Sequence, residues 1–390
     1  MHKFIIQDVF ICAFTLFNAK YFVSSVQTAD RINAYGYPLE IHNVQTEDNY
    51  MIGIERIPHK NNGNKTKGKP VILLPGLYGS SMQFVVNNDS LGFVLADAGF
   101  DVWLLNYRLL GISKFIKNPT TGKVIKLKNV SWDFGMDELA KYDMTVVIDY
   151  VLEKTGYPKV DLVGFSLGGT IALIGLSEKP QYNNKIDRLV LIAPTSRMRN
   201  FDKRLITLKL IPPKVLDLAY TLKYVPRFVD PDNQLAGKLC DSMIFKKICL
   251  SVAYNIQGVY SPIVDDAPKF LSSYPQPTSI KVLRQYFQFA YSKHFRKYDY
   301  GRDGNLKHYN STTPAEYNLS NVAAPTIIVH SKSDTVSASK DVKWLIKQLP
   351  NVIDVHYITE VPFPHQAYTL SPYAKPFVNT YVANKLLNKY

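Results

Sequence analysis

A chain of 390 residues, with 46% hydrophobic and 20% charged residues, is long enough for one large α/β domain with an insertion or for two ordinary domains. Its composition excludes a largely disordered protein. The net charge of +14 raises the question of nucleic acid, but the basic residues are scattered and no helix-turn-helix, zinc-finger or RNA-binding signature accompanies them. We therefore expect no nucleic-acid partner, and we attribute the charge to a solvated basic surface or to one that meets anionic lipid.

The N-terminus has the pattern of a secretory signal peptide. His2 and Lys3 precede a hydrophobic stretch over residues 9–17, and small residues up to Ser25 offer a cleavage site. Residues 1–25 are therefore predicted to be a signal peptide, with a buried N-terminal helix as the alternative because polar residues interrupt the apolar run. No later stretch reaches 18 apolar residues, so no transmembrane anchor is expected.

Secretion is consistent with the sequons and with the cysteines. The candidate glycosylation sites are Asn64, Asn88, Asn129, Asn310 and Asn318. Cys12 lies in the predicted signal, which leaves Cys240 and Cys249 in the mature chain. An oxidising compartment favours a disulfide between them, and two free buried thiols are the alternative. Neither has a neighbouring His or Cys at a zinc-binding spacing, so no metal or cofactor is expected.

Strand and helix patterns alternate over residues 26–193. Two runs at 41–44 and 51–57 predict a hairpin at the edge of a sheet, and the apolar run Val71–Leu74 predicts a buried parallel strand that leads into a glycine-bearing loop. Further strands are predicted at 100–105, 160–165 and 186–193, with helices at 91–98, 137–155 and 167–177. Strands that alternate with helices indicate βα units and a mostly parallel sheet.

The alternation stops between residues 194 and 323. This region is rich in Lys, Arg, Tyr, Phe and Pro and contains helix patterns such as Ser279–Lys293 but no clear parallel strand. It is predicted to be an inserted, mainly helical unit above the sheet. The alternation resumes over residues 324–390, with strands at 325–330 and 352–358, a helix between them and a C-terminal helix.

The stretch Gly164–Gly168 has the sequence G-x-S-x-G of a nucleophile elbow. In such an elbow the serine, here Ser166, lies on a strained strand-to-helix turn where only glycines leave room for neighbouring backbone. The apolar runs before and after it provide the strand and the helix that the motif requires. A glycine-rich turn with a non-catalytic serine is the alternative.

A serine hydroxyl needs a base, and the base needs an acid that orients it. In hydrolases built on an elbow these follow in the order Ser, Asp or Glu, His. Asp334 comes directly after the predicted strand 325–330, and His365 comes one loop after the strand 352–358, both at the edge where ligands bind in α/β sheets. A capping aspartate and a surface histidine are the alternatives. Other candidates lie inside predicted elements or in the wrong order: His330, Asp341, Asp354 and His356.

Backbone N–H groups are the expected donors of an oxyanion hole. The motif assigns one to Leu167, the residue after the serine, and the other to Leu77 in the loop after the strand Val71–Leu74. For Leu77, a purely structural place in the core is the alternative.

Three longer stretches carry a resemblance to a known family. They are GYPLEIHNVQTEDNYMIGIERIP (36–58), NDSLGFVLADAGFDVWLLNYR (88–108) and DELAKYDMTVVIDYVLEKTG (137–156). Together with the elbow, the Asp334 loop and PHQAY at His365, they resemble the acid lipase family, the gastric and lysosomal lipases and their invertebrate relatives. The resemblance extends from about residue 30 to the end of the chain.

The resemblance implies an α/β-hydrolase fold with a cap and lid over residues 194–323, between core segments 26–193 and 324–390. It implies Ser166, Asp334 and His365 as the catalytic triad, Leu77 and Leu167 as the oxyanion hole, and Cys240–Cys249 as the disulfide of the cap.

The chain departs from the family pattern at three places. Phe165 and Leu167 stand where the family has histidine and glutamine, and Pro75 stands where it has histidine. The stretch Leu105–Leu109 replaces the family's G-N-S-R-G, so we expect this loop to run differently. Because the oxyanion hole uses backbone groups, we expect the first two changes to alter the polarity of the pocket rather than its competence, and Pro75 to bear on substrate preference.

Taken together, the sequence predicts a lipase that hydrolyses fatty-acid esters, the acylglycerols, at a lipid interface by a Ser-His-Asp acyl-enzyme mechanism. An esterase for sterol, retinyl or short-chain esters is one alternative, and a catalytically silent lipid-binding protein on the same fold is another. Secretion is the expected localisation, with the lysosome as the alternative.

Overall fold

The computed structural model describes residues 28–59, 68–113, 115–117, 121–122, 124–126, 131–200 and 276–388. The predicted signal peptide and most of the predicted cap lie outside these residues. So do the predicted disulfide and two of the candidate glycosylation sites: Cys240, Cys249, Asn64 and Asn129.

The described chain forms one ten-stranded sheet. The strands are β1 (Glu40–Gln45), β2 (Tyr50–Ile57), β3 (Pro70–Leu74), β4 (Asp101–Leu105), β5 (Phe115–Lys117), β6 (Val124–Lys126), β7 (Val160–Phe165), β8 (Ile186–Ile192), β9 (Thr326–Ser331) and β10 (Val352–Ile358). Their order in the sheet is β10-β9-β8-β7-β3-β4-β2-β5-β6, with β1 paired to β2. The run β4-β3-β7-β8-β9-β10 is parallel, and the pairings that involve β1, β2, β5 and β6 are antiparallel.

Helices connect the parallel strands and cover the sheet. The α-helices of the described residues are Thr28–Ala34, Leu91–Asp97, Met136–Glu138, Thr145–Thr155, Leu167–Glu178, Ile280–Ser292, Arg302–Tyr309, Ser339–Gln348, Ala367–Leu370 and Thr380–Leu386. Two π-helical segments, Leu139–Met144 and Lys375–Asn379, continue helices, and short 3₁₀ turns lie at Ser81–Phe84, Pro180–Lys185 and Leu319–Asn321.

The central strands are buried on both faces, which is why they read as unbroken apolar runs. Every residue of β3, β4 and β7 is buried. Along β3, Val71 and Leu73 belong to one hydrophobic cluster, while Ile72 and Leu74 belong to another. Successive side chains of a strand point to opposite faces, so the two clusters are the two layers of core on either side of the sheet.

Most predicted elements are confirmed to within a few residues. The helix pattern at 279–293 corresponds to Ile280–Ser292, and the strand pattern at 352–358 corresponds to β10. The hairpin β5–β6 was not predicted, because three-residue strands are too short to show an alternating pattern. The π-helical segment Leu139–Met144 was also not predicted. Its hydrogen bonds join residues five apart instead of four, and over six residues this does not change the spacing of apolar residues enough to be recognised.

This π-helical segment holds the loop that follows β4. Its Asp143 is fully buried and accepts hydrogen bonds from the Arg108 backbone N and Nε, both at 2.8 Å. The Arg108 guanidinium also binds Asp48 at 2.6 Å and lies 4.0 Å from the centre of the Tyr50 ring. A buried guanidinium needs such partners to offset its desolvation. The loop that departs from the family pattern is therefore fixed from both sides.

Glu55 on β2 is buried with neutral hydrogen-bonding partners. The Asn106 Nδ2 donates to its Oε2 at 2.6 Å, and the Asn106 Oδ1 accepts from the backbone N of Ser81 at 3.1 Å. Burial raises the pKa of the Glu55 carboxyl from 4.5 to about 7, against the opposing effect of the hydrogen bonds from Ser81 and Asn106. Ionisation of Glu55 therefore opposes folding.

We predict that the protein loses stability as the pH rises from about 4.5 to above 7. The folded-state pKa of Glu55 lies above its unfolded value, so the stabilisation is fully present below the unfolded pKa and is lost as the pH passes the folded one. For Glu55 this amounts to about 3 kcal/mol at most. Burial also raises the pKa of Asp161 to about 6, and burial and Lys343 lower the pKa of His330 to about 4; these two shifts change the stability in opposite directions below about pH 6, so Glu55 dominates the slope.

Denaturant unfolding from pH 4 to 8 measures this slope. Glu55→Gln should flatten it, whereas Glu153→Gln, which changes an exposed carboxylate, should leave it as in the wild type. A wild-type slope retained in Glu55→Gln would contradict the assignment.

Candidate active site

Ser166 lies on the sharp turn between β7 and the helix Leu167–Glu178, which we call the nucleophile helix. Its backbone has φ 52° and ψ −112°, a conformation that is strained for a residue with a side chain. A Cβ on Gly164 would lie 2.5 Å from the backbone of Gly168 and Gly169, and a Cβ on Gly168 would overlap the carbonyl oxygen of Leu74. Both glycines of the motif are therefore required by backbone packing.

The three residues predicted as a triad lie in hydrogen-bond contact. The Ser166 Oγ and the His365 Nε2 are 2.8 Å apart, and the His365 Nδ1 and the Asp334 Oδ2 are also 2.8 Å apart. Ser166 is 5% exposed and His365 is 6% exposed. An ionised carboxylate only accepts hydrogen bonds, so Nδ1–H donates to Asp334, and Nε2 is left to accept from the serine hydroxyl. This is the geometry in which an imidazole activates a serine.

Asp334 is held on its other oxygen by backbone. Its Oδ1 accepts from the N–H groups of Val336 and Ser337, each at 2.8 Å. Its side chain is fully buried, so these bonds and the one from His365 replace the water that a carboxylate requires. They fix the direction in which Oδ2 faces the imidazole.

Two serines tie the Asp334 loop to the His365 loop. The Ser331 Oγ accepts from the backbone N of Asp334 at 3.1 Å and donates to the carbonyl of Phe363 at 2.5 Å. The Ser333 Oγ accepts from the backbone N of Phe363 at 2.5 Å. The loops that follow the neighbouring strands β9 and β10 are thereby joined two residues before the histidine.

The loop after β3 lies against the elbow. A Cβ on Gly76 would be 3.4 Å from the Ser166 Cβ, so Leu77, the next residue, lies near the serine. The Gln83 Oε1 accepts from the backbone N of Gly76 at 2.8 Å, and Gly79 N donates to the carbonyl of Gly76 at 3.0 Å. Leu167 is the first residue of the nucleophile helix, where backbone N–H groups have no partner within the helix.

Comparisons with known proteins agree with this architecture. A family model described as alpha/beta hydrolase fold matches residues 69–368, and one described as partial alpha/beta-hydrolase lipase region matches residues 28–88. Lipase member K of Homo sapiens is 33% identical over 333 residues, which cover 83% of this chain and 81% of that protein. Gastric triacylglycerol lipase of Homo sapiens is 31% identical over 350 residues, which cover 87% of this chain and 85% of that protein. The chain belongs to the acid lipase family.

Solved structures show the same fold as this acid lipase family member. A monoglyceride lipase from Saccharomyces cerevisiae superposes with a TM-score of 0.53 at 17% identity, covering 90% of this chain and 94% of that chain. A carboxylesterase from Bacillus subtilis gives a TM-score of 0.53 at 13% identity, covering 93% and 96%. The prediction of an α/β-hydrolase fold is confirmed.

The other candidate acids and bases of this acid lipase family member have structural partners. His330 is buried in β9 and stacks on Tyr357 with ring centres 4.5 Å apart, and burial, aided by Lys343, lowers its pKa to about 4. The His330 imidazole is therefore uncharged above about pH 4. The remaining three bind other groups: Asp341 accepts from Arg197 and Asn200, Asp354 pairs with Lys385, and the His356 Nε2 lies 2.8 Å from the carbonyl of Phe377.

Three of the candidate glycosylation sites fall in the described residues. Asn88, Asn310 and Asn318 are all exposed. The Asn318 Oδ1 accepts from the backbone N and the Oγ of Ser320, its own sequon serine, at 3.3 and 2.6 Å. A glycan at Asn318 would have to form on a side chain that caps a turn, whereas Asn88 and Asn310 are the more accessible candidates.

The described residues hold no cluster of three His, Cys, Asp or Glu side chains that could bind a metal ion. No helix among them is long and apolar enough to cross a membrane.

Sequence reasoning missed the residues that support the site. Gln83, Ser331 and Ser333 act through one or two hydrogen bonds each to backbone of loops that meet only in the folded protein. Their sequence neighbourhood carries no motif, so no signal in one sequence points to them.

We predict that Gly168→Ala destabilises the fold by at least about 3 kcal/mol, because its Cβ would overlap a backbone oxygen of β3 that cannot move aside. Gly169→Ala is the matched control on the same helix. Its Cβ would lie 3.2 Å from the side chain of Pro194, and its stability should stay within about 1 kcal/mol of the wild type. Denaturant unfolding measures both, and equal stabilities would contradict the account of the elbow.

Proposed function

We propose that the protein is a lipase that hydrolyses fatty-acid esters of acylglycerols through Ser166, His365 and Asp334. The observation that carries this proposal is the continuous pair of 2.8 Å contacts from the Ser166 Oγ through the His365 ring to Asp334. It occurs on an elbow and at the edge of the sheet that such chemistry requires. Membership of the acid lipase family supports the same reaction.

In the acylation half, the Ser166 Oγ attacks the ester carbonyl carbon while its proton passes to the His365 Nε2. The carbonyl oxygen becomes an oxyanion, for which we propose the backbone N–H groups of Leu77 and Leu167 as donors. Such a donor contributes about 3 kcal/mol in comparable sites. When the carbon–oxygen bond of the alcohol breaks, the alcohol leaves with the proton from His365 and the acyl group stays on Ser166.

In the deacylation half, water attacks the acyl-enzyme and gives its proton to His365. The fatty acid leaves when the bond to the Ser166 Oγ breaks and the proton returns to that oxygen. Asp334 keeps the proton on Nδ1, directs Nε2 at the serine and stabilises each imidazolium that forms. Its own two backbone donors keep it an acceptor throughout.

A lipid substrate is supported by the apolar surroundings of the oxyanion loop. Leu77 and Tyr78 pack with Ile280, Leu283 and Phe287 of the helix Ile280–Ser292. An acyl chain in contact with such side chains gains about 25 cal/mol for each Å² of apolar surface removed from water. The relatives named gastric triacylglycerol lipase make the acylglycerol our choice of ester.

The finer features of the protein belong to the same proposal. We propose residues 194–323 as the cap and lid, Cys240–Cys249 as its disulfide, and residues 1–25 as a signal peptide for secretion, with the lysosome as the alternative destination. Glycosylation is proposed at the sequons, and the substrate is proposed to be met at a lipid interface.

We predict that Ser166→Ala lowers kcat by about 10⁴-fold or more, because no other group can form the acyl-enzyme. A serine-reactive phosphonate should label the wild type and not this variant. Ser177→Ala removes a buried hydroxyl at the far end of the same helix, which only donates to the carbonyl of Ile174, and should retain activity and labelling. Equally low hydrolysis by the wild type and Ser166→Ala would favour a silent lipid-binding protein.

We predict that emulsified long-chain triacylglycerol is hydrolysed with a higher kcat/KM than a soluble short-chain ester kept below its solubility limit. The apolar contacts near Leu77 stabilise a long acyl chain more than a short one. Titration of released fatty acid, with a cholesteryl ester as a third substrate, measures the preference. A maximum on the soluble ester would support an esterase, and a maximum on the cholesteryl ester would support a sterol esterase.

A further inference from the structure

Phe165, the residue before the serine, lies against the histidine that activates it. The ring is 1% exposed and stacks on the imidazole of His365, with ring centres 5.2 Å apart and planes 30° apart. This offset, nearly parallel arrangement is one that aromatic pairs prefer. It also lies within the distance at which an aromatic face attracts a cation.

The same ring touches the loop that carries Leu77. Its Cδ1 and Cε1 atoms lie 3.0 and 3.1 Å from the position a Cβ would take on Gly76. The Phe165 ring also contacts the ring of Tyr368, and their centres are 6.1 Å apart. One apolar ring therefore fills the space between the imidazole and the loop after β3, and it is enclosed on each of these sides.

The two hydrogen bonds of His365 do not fully fix the orientation of its imidazole, and the Phe165 ring can fix the rest. The torsion next to an aromatic ring has broad energy minima. Hydrogen bonds at the two nitrogens therefore fix the axis that joins Nδ1 and Nε2 better than they fix the rotation of the ring plane about that axis. A stacked ring defines the tilt. During each proton transfer the imidazole becomes a cation in a buried site, and the negative face of a phenyl ring stabilises a cation there.

We propose that Phe165 is a positioning residue of the reaction: its ring fixes the plane of the His365 imidazole and stabilises the imidazolium that forms during catalysis. This inference rests on the proposed function. A phenylalanine carries no charge at any pH, so its ring does not repel that imidazolium.

The charged and titratable neighbours of His365 among the described residues set the background for a pH test. Asp334 binds the imidazole directly. Burial and the charge of Asp334 raise the pKa of Tyr368, on the helix that follows, far above its usual value. The pKa of His330 on β9 is lowered to about 4 by burial and Lys343. Neither Tyr368 nor His330 changes charge between about pH 5 and 8, so a shift of the profile in that range reports on His365 itself.

The test compares Phe165→Leu with the wild type on a soluble ester. We expect kcat to fall roughly 3- to 30-fold with KM nearly unchanged, because the lost interaction is with the imidazolium and not with substrate. The acid limb of the kcat/KM profile should move to lower pH by about half a unit to one unit, because protonation of the base becomes less favourable.

Phe93→Leu is the control, since Phe93 is buried in the same hydrophobic cluster but stacks on Tyr37. It should match the wild-type kcat and profile.

A second series separates electrostatics from packing. Fluorinated phenylalanines placed at Phe165 keep the shape of the ring while each fluorine weakens its negative face, so the acid limb should move progressively with fluorine number. An unchanged profile and kcat in Phe165→Leu, or a profile that ignores fluorination, would overturn the proposal. Phosphonate labelling of Ser166 is measured in every variant. A wild type that neither hydrolyses esters nor reacts with the phosphonate would contradict the proposed function and this role together, whereas an active wild type with unaltered variants contradicts the role alone.

Discussion

The contact between Gly168 and the carbonyl of Leu74 is the constraint on which the site depends. It brings the nucleophile helix against the last residue of β3 with no side chain between them. Because the turn from β7 must reach this contact within three residues, Ser166 adopts its strained backbone conformation. The loop that begins after Leu74 is brought beside the serine by the same contact. One close packing of backbone on backbone thus places both Ser166, the proposed nucleophile, and the segment proposed to bind the oxyanion.

The proposed base, His365, is positioned by the order of the strands and by loop contacts. Asp334 and His365 follow adjacent parallel strands, whose carboxyl ends meet at one edge of the sheet, and serine hydroxyls join their loops before either residue contacts Ser166. Ser166 and His365 are 199 residues apart, yet their side chains meet because the strand order places β7, β8, β9 and β10 side by side. The contact between the three residues of the proposed triad therefore follows from the topology, and it does not depend on the length of the chain between β8 and β9.

The parts of this arrangement that could be predicted are those with local or topological signals. The elbow has a recognisable motif because any side chain at either of its glycines would overlap neighbouring backbone. Asp334 and His365 could be predicted because they follow strands and occur in the expected order along the chain. The side chains that hold the loops and the imidazole in place could not be predicted from the sequence. The hydrogen bond from Gly76 to Gln83 and the stacking of Phe165 on His365 join segments that are distant in sequence, and a glutamine or a phenylalanine is compatible with many environments. The pairing of β5 with β6 and the π-helical segment at Leu139–Met144 are too short for periodicity to reveal.

The positions of the elbow differ in what their surroundings tolerate. Position 168 has no room for even a methyl group, because that group would overlap the carbonyl oxygen of Leu74. Phe165, before the serine, contacts the ring of His365 and the loop that carries Gly76, and its side chain can therefore differ without a conflict of backbone with backbone. We therefore expect a change at position 165 to act on the surroundings of His365 and to leave the turn at Ser166 in place.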